Sequence, residues 1–214
     1  MNCCRSYEAC FDQSTAADEL KTYRRHGPTR QTRCLLDTLR QQGVDGLSLL
    51  DIGGGIGAIQ HELLRAGASR ATHVDASSAY LRASQAEAER QGHSDRTAYL
   101  HGDFVQLAAQ VEPADIVTLD RVLCCYHNMP ALVRASAACA RRWYGLVFPR
   151  DTWWVKLGVP LLNFFLGLRR EPFKVFVHPT AAVDALAREQ GFVPVRHRRF
   201  WLWQVLIYQR QDTD

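Results

Sequence analysis

Leu49-Leu50-Asp51-Ile52-Gly53-Gly54-Gly55-Ile56-Gly57 is the stretch on which the reading of this chain turns. Apolar residues run into an acid, then four glycines fall in five positions, then a helical pattern begins. That order predicts a buried strand over 47–52, a tight turn and a helix N-terminus. Glycine tolerates the dihedrals such a turn needs and lets a ligand approach the backbone. The first turn of the helix presents unpaired N–H groups, so a nucleotide-like ligand fits there. Gly53-Gly54-Gly55-Ile56-Gly57-Ala58 also satisfies the dinucleotide fingerprint G-x-G-x-x-G/A, with an acid about 20 residues further on. A nicotinamide-dinucleotide-binding protein is therefore one open reading.

Upstream, residues 12 to 42 read as helical and charged. Leu35, Leu36 and Leu39 form an apolar face, and Gly43 is the stop. The basic run Tyr23-Arg24-Arg25-His26-Gly27-Pro28 is either a solvated connector or a flap that puts Tyr23 or an arginine near a cofactor carboxylate.

Downstream, a helix over 58–66 turns Ile59, Leu63 and Leu64 inward and His61, Glu62 and Arg65 outward. Strand 71–74 ends at Asp75-Ala76, where an acid can accept hydrogen bonds from both ribose hydroxyls; helix capping is the competing role. His73 reads as a strand residue with a satisfied ring. Strand 97–101 leads to Gly102-Asp103-Phe104. Asp103 suits an exocyclic amine and Phe104 a ring face, again against an N-cap alternative, here for a short helix over 104–109. Strand 115–119 precedes Asp120-Arg121-Val122-Leu123-Cys124-Cys125-Tyr126-His127. A helix opened by Asn128 and Pro130 then runs to Arg141-Arg142, and strand 144–148 stops at Pro149. Repeated β-α order implies a parallel sheet with right-handed crossovers and ligands at the strands' C-terminal ends. Asp51, Asp75, Asp103 and Asp120 all fall at such ends.

Residues 151–178 interrupt the pattern. Trp153 to Leu166 is strongly apolar but broken by Lys156, Pro160 and Asn163, and too short to span a bilayer. A lid over an apolar substrate is the preferred reading, ahead of a membrane-surface helix or a dimer face. Trp153, Trp154, Arg170 and His178 are the substrate-contact candidates, with Arg169, Arg170 and Lys174 suited to a carboxylate or phosphate. A helix over 180–190 and strand-like runs 193–199 and 201–208 finish the chain. The short gap between those runs makes the last strand antiparallel to its neighbour.

At 214 residues, one domain is expected: a helical cap over 1–45, a cofactor-binding core over 46–150, an apolar lid over 151–179 and a terminal helix and strand pair over 180–214. A net charge of +4 is too weak to argue for nucleic acid. No secretory h-region is visible, and seven cysteines without a framework spacing fit reduced thiols and a cytoplasmic location. Cys3, Cys4 and Cys10 cluster without a C-x-x-C pair, and no metal is expected.

The ordered motifs Leu-Asp-Ile-Gly-Gly-Gly-Ile-Gly at 50–57, Val-Asp at 74–75, Gly-Asp-Phe at 102–104 and Asp-Ile-Val-Thr-Leu-Asp-Arg-Val-Leu at 115–123 resemble the class I methyltransferases that use S-adenosyl-L-methionine (SAM). The resemblance covers about Leu47 to Tyr208. It implies a three-layer, Rossmann-like α/β fold with a mostly parallel seven-stranded sheet and an antiparallel last strand. It also implies that Gly53, Gly54, Gly55 and Gly57 pass under the amino-acid moiety, with Asp51 orienting its ammonium. Asp75 with Ala76 would hold the ribose, Asp103 and Phe104 the adenine, and the backbone at Asp120 and Arg121 the sulfonium side. The tail, with Phe-Pro-Arg at 148–150, an apolar helix and Arg170-Glu171-Pro172, is similar to the magnesium-protoporphyrin O-methyltransferases.

Methyl transfer from a sulfonium is an in-line displacement that the protein serves mainly by alignment. A general base helps only a protonated nucleophile. Asp120, His127 and Tyr126 are the candidates, with His178 and Asp151 on the insertion; a carboxylate acceptor needs none. No Asn/Asp-Pro-Pro-Tyr/Phe follows strand four and no Pro-Cys pair stands there, which disfavours nucleic-acid bases as acceptors. A small, apolar molecule is the expected substrate. A methyltransferase-like, non-catalytic partner with peripheral membrane contact is the remaining alternative.

Overall fold

The computed structural model describes residue 8, residues 10–168 and residues 173–211. Within these, a seven-stranded sheet has the order β3-β2-β1-β4-β5-β7-β6. The strands are β1 (Ser48–Ile52), β2 (Arg70–Asp75), β3 (Thr97–His101), β4 (Ala114–Asp120), β5 (Ala140–Pro149), β6 (Phe192–Arg199) and β7 (Trp203–Arg210). Neighbours from β3 through β5 pair in parallel, and β7 lies between β5 and β6, antiparallel to both. The expected sheet and its reversed last strand are therefore present.

Period-two alternation splits the apolar strand residues between two cores. Leu50, Val117, Leu146 and Leu206 face one core, which α6 (Met129–Ala138) and α8 (Thr180–Glu189) complete through Leu132, Val133 and Val183. Leu49, Ile116, Val147 and Val205 face the other, against Leu35, Leu36 and Leu39 of α2 (Arg30–Gln41) and Ile59 and Leu63 of α3 (Ala58–Arg65). A third cluster joins Ala16, Leu20 and Tyr23 of α1 (Gln13–His26) to Ile56 of the glycine loop and to Ala79 and Tyr80 of α4 (Ser78–Gln91). Among the described residues the N-terminal segment thus carries α1 and α2, of which α1 is packed beside the loop.

Side-chain caps set where these helices begin. Asp12, Thr29, Ser77 and Asn128 each accept a backbone N–H three residues on, at Thr15, Thr32, Tyr80 and Ala131. Such caps satisfy donors that the helix itself leaves orphaned.

Two expectations need correction. Helix α6 ends at Ala138 rather than at Arg142, because Cys139 closes it by donating its N–H to Ser136 and Ala140 then pairs with Ala114 on β4. Arg141 and Arg142 therefore lie exposed on β5, which continues through Pro149. His61 does not face outward: it is fully buried, with Nδ1 3.3 Å from His93 Nδ1. Helix α3 is covered on the side away from the sheet too, by the segment that follows α4. Burial, reinforced by His93, pushes the His61 ring down to about 3, so it stays neutral.

The apolar run forms α7 (Trp153–Leu168), of which Val155 is the one buried residue. Asn163 ties it down by donating to the Val175 carbonyl and accepting from the Val175 N–H.

Gly145, on β5, sits under α2, where a Cβ would come within 2.6 Å of Leu35 Cδ1. Gly145→Ala is expected to destabilise the fold by about 1–3 kcal/mol through overpacking, measured as a lower denaturation midpoint at unchanged m-value.

Candidate active site

The C-terminal ends of β1, β2 and β4, together with the turns after them, open onto one cavity of about 840 Å³. Asp51, Asp75, Asp103 and Asp120 all line it, and so do Gly53, Gly54, Gly55, Ala76, Phe104 and Arg121. The cofactor-side residues of the sequence reading are thus brought together, except that Gly57 does not itself line the cavity, although Ile56 and Ala58 on either side of it do.

The loop shows why glycine is required. Gly53, Gly55 and Gly57 have φ of 61°, 58° and 79°, in the left-handed region. Gly54 is excluded from substitution for a different reason. A Cβ there would lie 2.7 Å from both Asp51 Oδ2 and His73 Cε1, so the loop rests directly on a buried acid and a buried imidazole. The Gly55 N–H donates to Asp75 Oδ2 at 2.9 Å, which straps the loop to the end of β2.

Asp51 is buried, and its Oδ1 accepts from the Thr118 hydroxyl at 2.7 Å. Its Oδ2 has no hydrogen-bond partner. Burial pushes the carboxyl up to about 6, against the opposing effects of His73 and the Thr118 bond. A buried acceptor without a partner, on a residue that lines a cavity, suits a donor, above all a cationic one. His73 Nδ1 is 2.9 Å from Gln60 Oε1, and Gln60 Nε2 donates to Ser84 Oγ and to the Tyr99 hydroxyl. The ring is therefore satisfied at one nitrogen only. Its Nε2 has no hydrogen-bond partner and lies 3.9 Å from Asp75 Oδ2.

Asp75 Oδ1 accepts from the Ser77 N–H at 2.8 Å, so each of its oxygens already holds one backbone donor. Ser77, not Asp75, caps α4. Asp103 does cap the short helix α5 (Phe104–Leu107) through Val105, and it also accepts the Tyr126 hydroxyl at 3.0 Å from each oxygen. Phe104 is buried in the core while presenting part of its ring to the cavity. Asp120 Oδ2 accepts from Thr32 Oγ1 at 2.5 Å and its Oδ1 from Arg121 Nε at 3.1 Å. Arg121 has φ 63° and is, among the described residues, the one non-glycine with positive φ.

The base candidates fare less well than the cofactor-side residues. Tyr126 spends its hydroxyl on Asp103. His127 is exposed, stacks on Tyr126 and does not line the cavity. His178 is also off the wall: its Nε2 donates to the Leu123 and Tyr126 carbonyls at 2.9 and 3.0 Å, pinning the turn after β4. Burial lowers its pKa despite those bonds. Asp151 accepts from the Thr180 N–H and hydroxyl at the start of α8. Cys124 and Cys125 line the cavity with sulfurs 3.7 Å apart, and the contact with Cys124, together with burial, pushes the Cys125 thiol up, so it is held protonated.

On the insertion, Trp154 lines the cavity and stacks on Trp201 with ring centroids 4.9 Å apart. Trp153 points away and is 75% exposed. Arg169 and Arg170 lie outside the described residues. Tyr23 reaches the cavity wall, but its hydroxyl donates to Glu62 and accepts from Arg65, and Arg24 pairs with Glu87 at 2.8 Å. No arginine of that run is therefore placed against a ligand carboxylate by these contacts. Thr32, Tyr80, Leu202 and Trp203 line the cavity without having been singled out. Among the described residues no group of three or more His, Cys, Asp and Glu side chains is placed to hold a metal.

Asp51→Asn is expected to raise stability by roughly 1–3 kcal/mol above pH 7. The raised pKa means the native acid contributes most below about pH 4 and loses that contribution as pH rises through about 6. The gain over wild type should therefore vanish near pH 4, which urea unfolding at the two pH values checks.

Residues 49–143 match the family model described as a methyltransferase domain. A search of curated proteins found no match. Among solved structures, a magnesium protoporphyrin IX methyltransferase from Synechocystis PCC 6803 with bound SAH is 22% identical with a TM-score of 0.72, over 98% of this chain and 100% of that one. An O-methyltransferase family protein from Burkholderia thailandensis is 17% identical with a TM-score of 0.69, over 97% and 64% of the two chains. An O-methyltransferase family 2 protein from Planctomyces limnophilus in complex with apigenin is 15% identical with a TM-score of 0.61, over 87% and 63%. At these identities the likeness is one of fold.

Proposed function

We infer, from the premise that residues 49–143 form a methyltransferase domain, that this chain is an enzyme that binds SAM on the aspartate-lined rim and methylates an apolar small molecule. The observation that carries the reading is Asp51 Oδ2, a buried acceptor with no hydrogen-bond partner, directly under Gly54 on a residue that lines the cavity. An ammonium is the donor such an oxygen suits. Asp75 supports a ribose, since each of its oxygens keeps a lone pair beyond its one backbone bond. Asp103 and Phe104 support the base, one by its acceptors and one by its ring. The nicotinamide reading loses its basis, because the glycine loop falls inside the methyltransferase match.

SAM, when bound, supplies a methyl group on a positively charged sulfur that leaves as a neutral thioether. The remaining work falls to the chain. Trp154, Val155, Val159, Leu162, Phe173 and Val175 give the other end of the cavity apolar walls. They bury an apolar acceptor and exclude water, which favours a displacement that removes charge. Tyr126 holds Asp103 in place, and His178 holds the turn that carries Tyr126; both are positioning residues. With those groups engaged and the Cys125 thiol kept protonated, the site favours an acceptor oxygen that arrives ionised, such as a carboxylate, over one that needs a base. Arg121, whose Nε alone is committed to Asp120, supplies a cation for that anion.

SAM is expected to raise the melting temperature where NADH does not. Asp75→Ala should weaken SAM binding by roughly tenfold to a hundredfold, as expected for lost bonds to a charged group. Calorimetry across pH should show affinity falling as pH drops through about 6, because protonation of Asp51 removes the charge that faces the ammonium. Equal affinities for SAM at pH 5 and pH 8 would argue against the Asp51 assignment.

A further inference from the structure

Helix α7 is apolar on two opposite faces. At 100° per residue, Trp154, Val155, Gly158, Val159 and Leu162 fall on one side, and these residues line the cavity. Trp153, Leu157, Leu161, Phe164 and Leu168 fall on the other, between 57% and 75% exposed. Trp201, which stacks on Trp154, is itself 79% exposed and adds a second exposed tryptophan near the start of the helix. Scattered exposed apolar residues need no explanation, but a continuous stripe of this size marks an interaction surface.

We propose that this outer face lies on the surface of an anionic bilayer. Charge selects that occupant. No acidic residue occurs between Asp151 and Glu171 or between Glu189 and Asp212, whereas Lys156, Arg169, Arg170, Arg196, Arg198 and Arg199 fall in those segments. Arg196, Arg198 and Arg199 are exposed on β6, the strand that leads into the turn bearing Trp201. Exposed tryptophans and an apolar stripe, in segments of the chain whose charged residues are all basic, are the composition of an interfacial helix. A second copy would bring these same acid-free, basic segments against themselves. The helix lies on the membrane and does not cross it: 16 residues reach about 24 Å, short of the ~30 Å hydrocarbon core. No helix among the described residues is long and apolar enough to span. The inference rests on the outer face and does not depend on the reaction proposed above.

The test is co-sedimentation of the full chain with vesicles of phosphatidylcholine, alone or mixed with phosphatidylglycerol, beside the triple variant Leu157→Gln, Leu161→Gln, Leu168→Gln. None of these leucines lines the cavity, and glutamine is a good helix former. Wild type should bind the mixed vesicles, release them as salt shortens the screening length, and bind pure phosphatidylcholine more weakly. The variant should lose roughly tenfold or more in affinity, as three buried leucine side chains imply. Failure to bind either vesicle, equal binding by the variant, or binding indifferent to both salt and phosphatidylglycerol overturns the proposal. So does a lipid-independent dimer that the variant converts to monomer, which would assign the face to a second copy. The SAM-induced melting shift is read on both proteins. Its retention in the variant shows the cavity intact, whereas its absence in wild type that still binds vesicles defeats the proposed reaction and leaves the docking surface standing.

Discussion

The contact between Gly54 and the buried pair beneath it, Asp51 and His73, fixes everything else at the site. With no side chain at Gly54 the loop settles onto β1 and β2, and that height lets the Gly55 N–H reach Asp75. The loop is therefore held from below by close packing and from the side by a charge-assisted hydrogen bond. One carboxylate oxygen of Asp51 is left without a hydrogen-bond partner, on a residue that lines the cavity. Leaving it unpaired costs stability, as its raised pKa indicates. Thr118 offsets part of that cost by satisfying the other oxygen. Functional sites commonly hold such unfavourable arrangements, and the surrounding parallel sheet supplies the rigidity to keep this one.

The end of β4 follows the same logic in the backbone. Arg121 occupies a left-handed conformation that costs a non-glycine residue about 1–2 kcal/mol. It is over-determined by its surroundings: its N–H donates to Val147 on β5, its guanidinium pairs with Asp120, and the Cys124 thiol donates to its carbonyl. The segment after α7 adds two clamps, Phe176 N–H on the Cys124 carbonyl and His178 on those of Leu123 and Tyr126. The turn after β4, on the cavity wall, is thus held in part by residues more than 50 positions away in sequence.

That distance explains what was legible in the chain and what was not. The sheet, its reversed last strand and the four strand-end aspartates follow from local patterns: period-two alternation, glycine stops and acids at fixed offsets from apolar runs. Thr32 on Asp120, Tyr126 on Asp103 and His178 on the β4 turn are contacts between distant segments, and residue type alone does not reveal them. Tyr126 and His178 therefore resembled acid–base groups, although the fold spends their polar atoms on positioning. His61 misled for a related reason. A helix covered on two sides buries polar positions that a one-sided amphipathic reading assigns to solvent. The start of β5 is not legible from residue type, because Arg141 and Arg142 can stand exposed on a strand as easily as at a helix end.

Helix α7 shows how one apolar sequence can serve two environments. Its mean composition suggests burial, yet the structure covers one face only, and Asn163 fixes the rotation by bonding Val175 at both its amide atoms. With that rotation set, the side chains at 154, 155, 158, 159 and 162 must face the cavity, and those at 153, 157, 161, 164 and 168 must face outward. A continuous apolar face left in solvent favours association. The same constraint makes the inner stripe informative, because a wall without a charged residue, set opposite a rim of four carboxylates, gives one cavity two solvation environments. A polar, cationic ligand and an apolar one can then share it without either meeting the surface suited to the other.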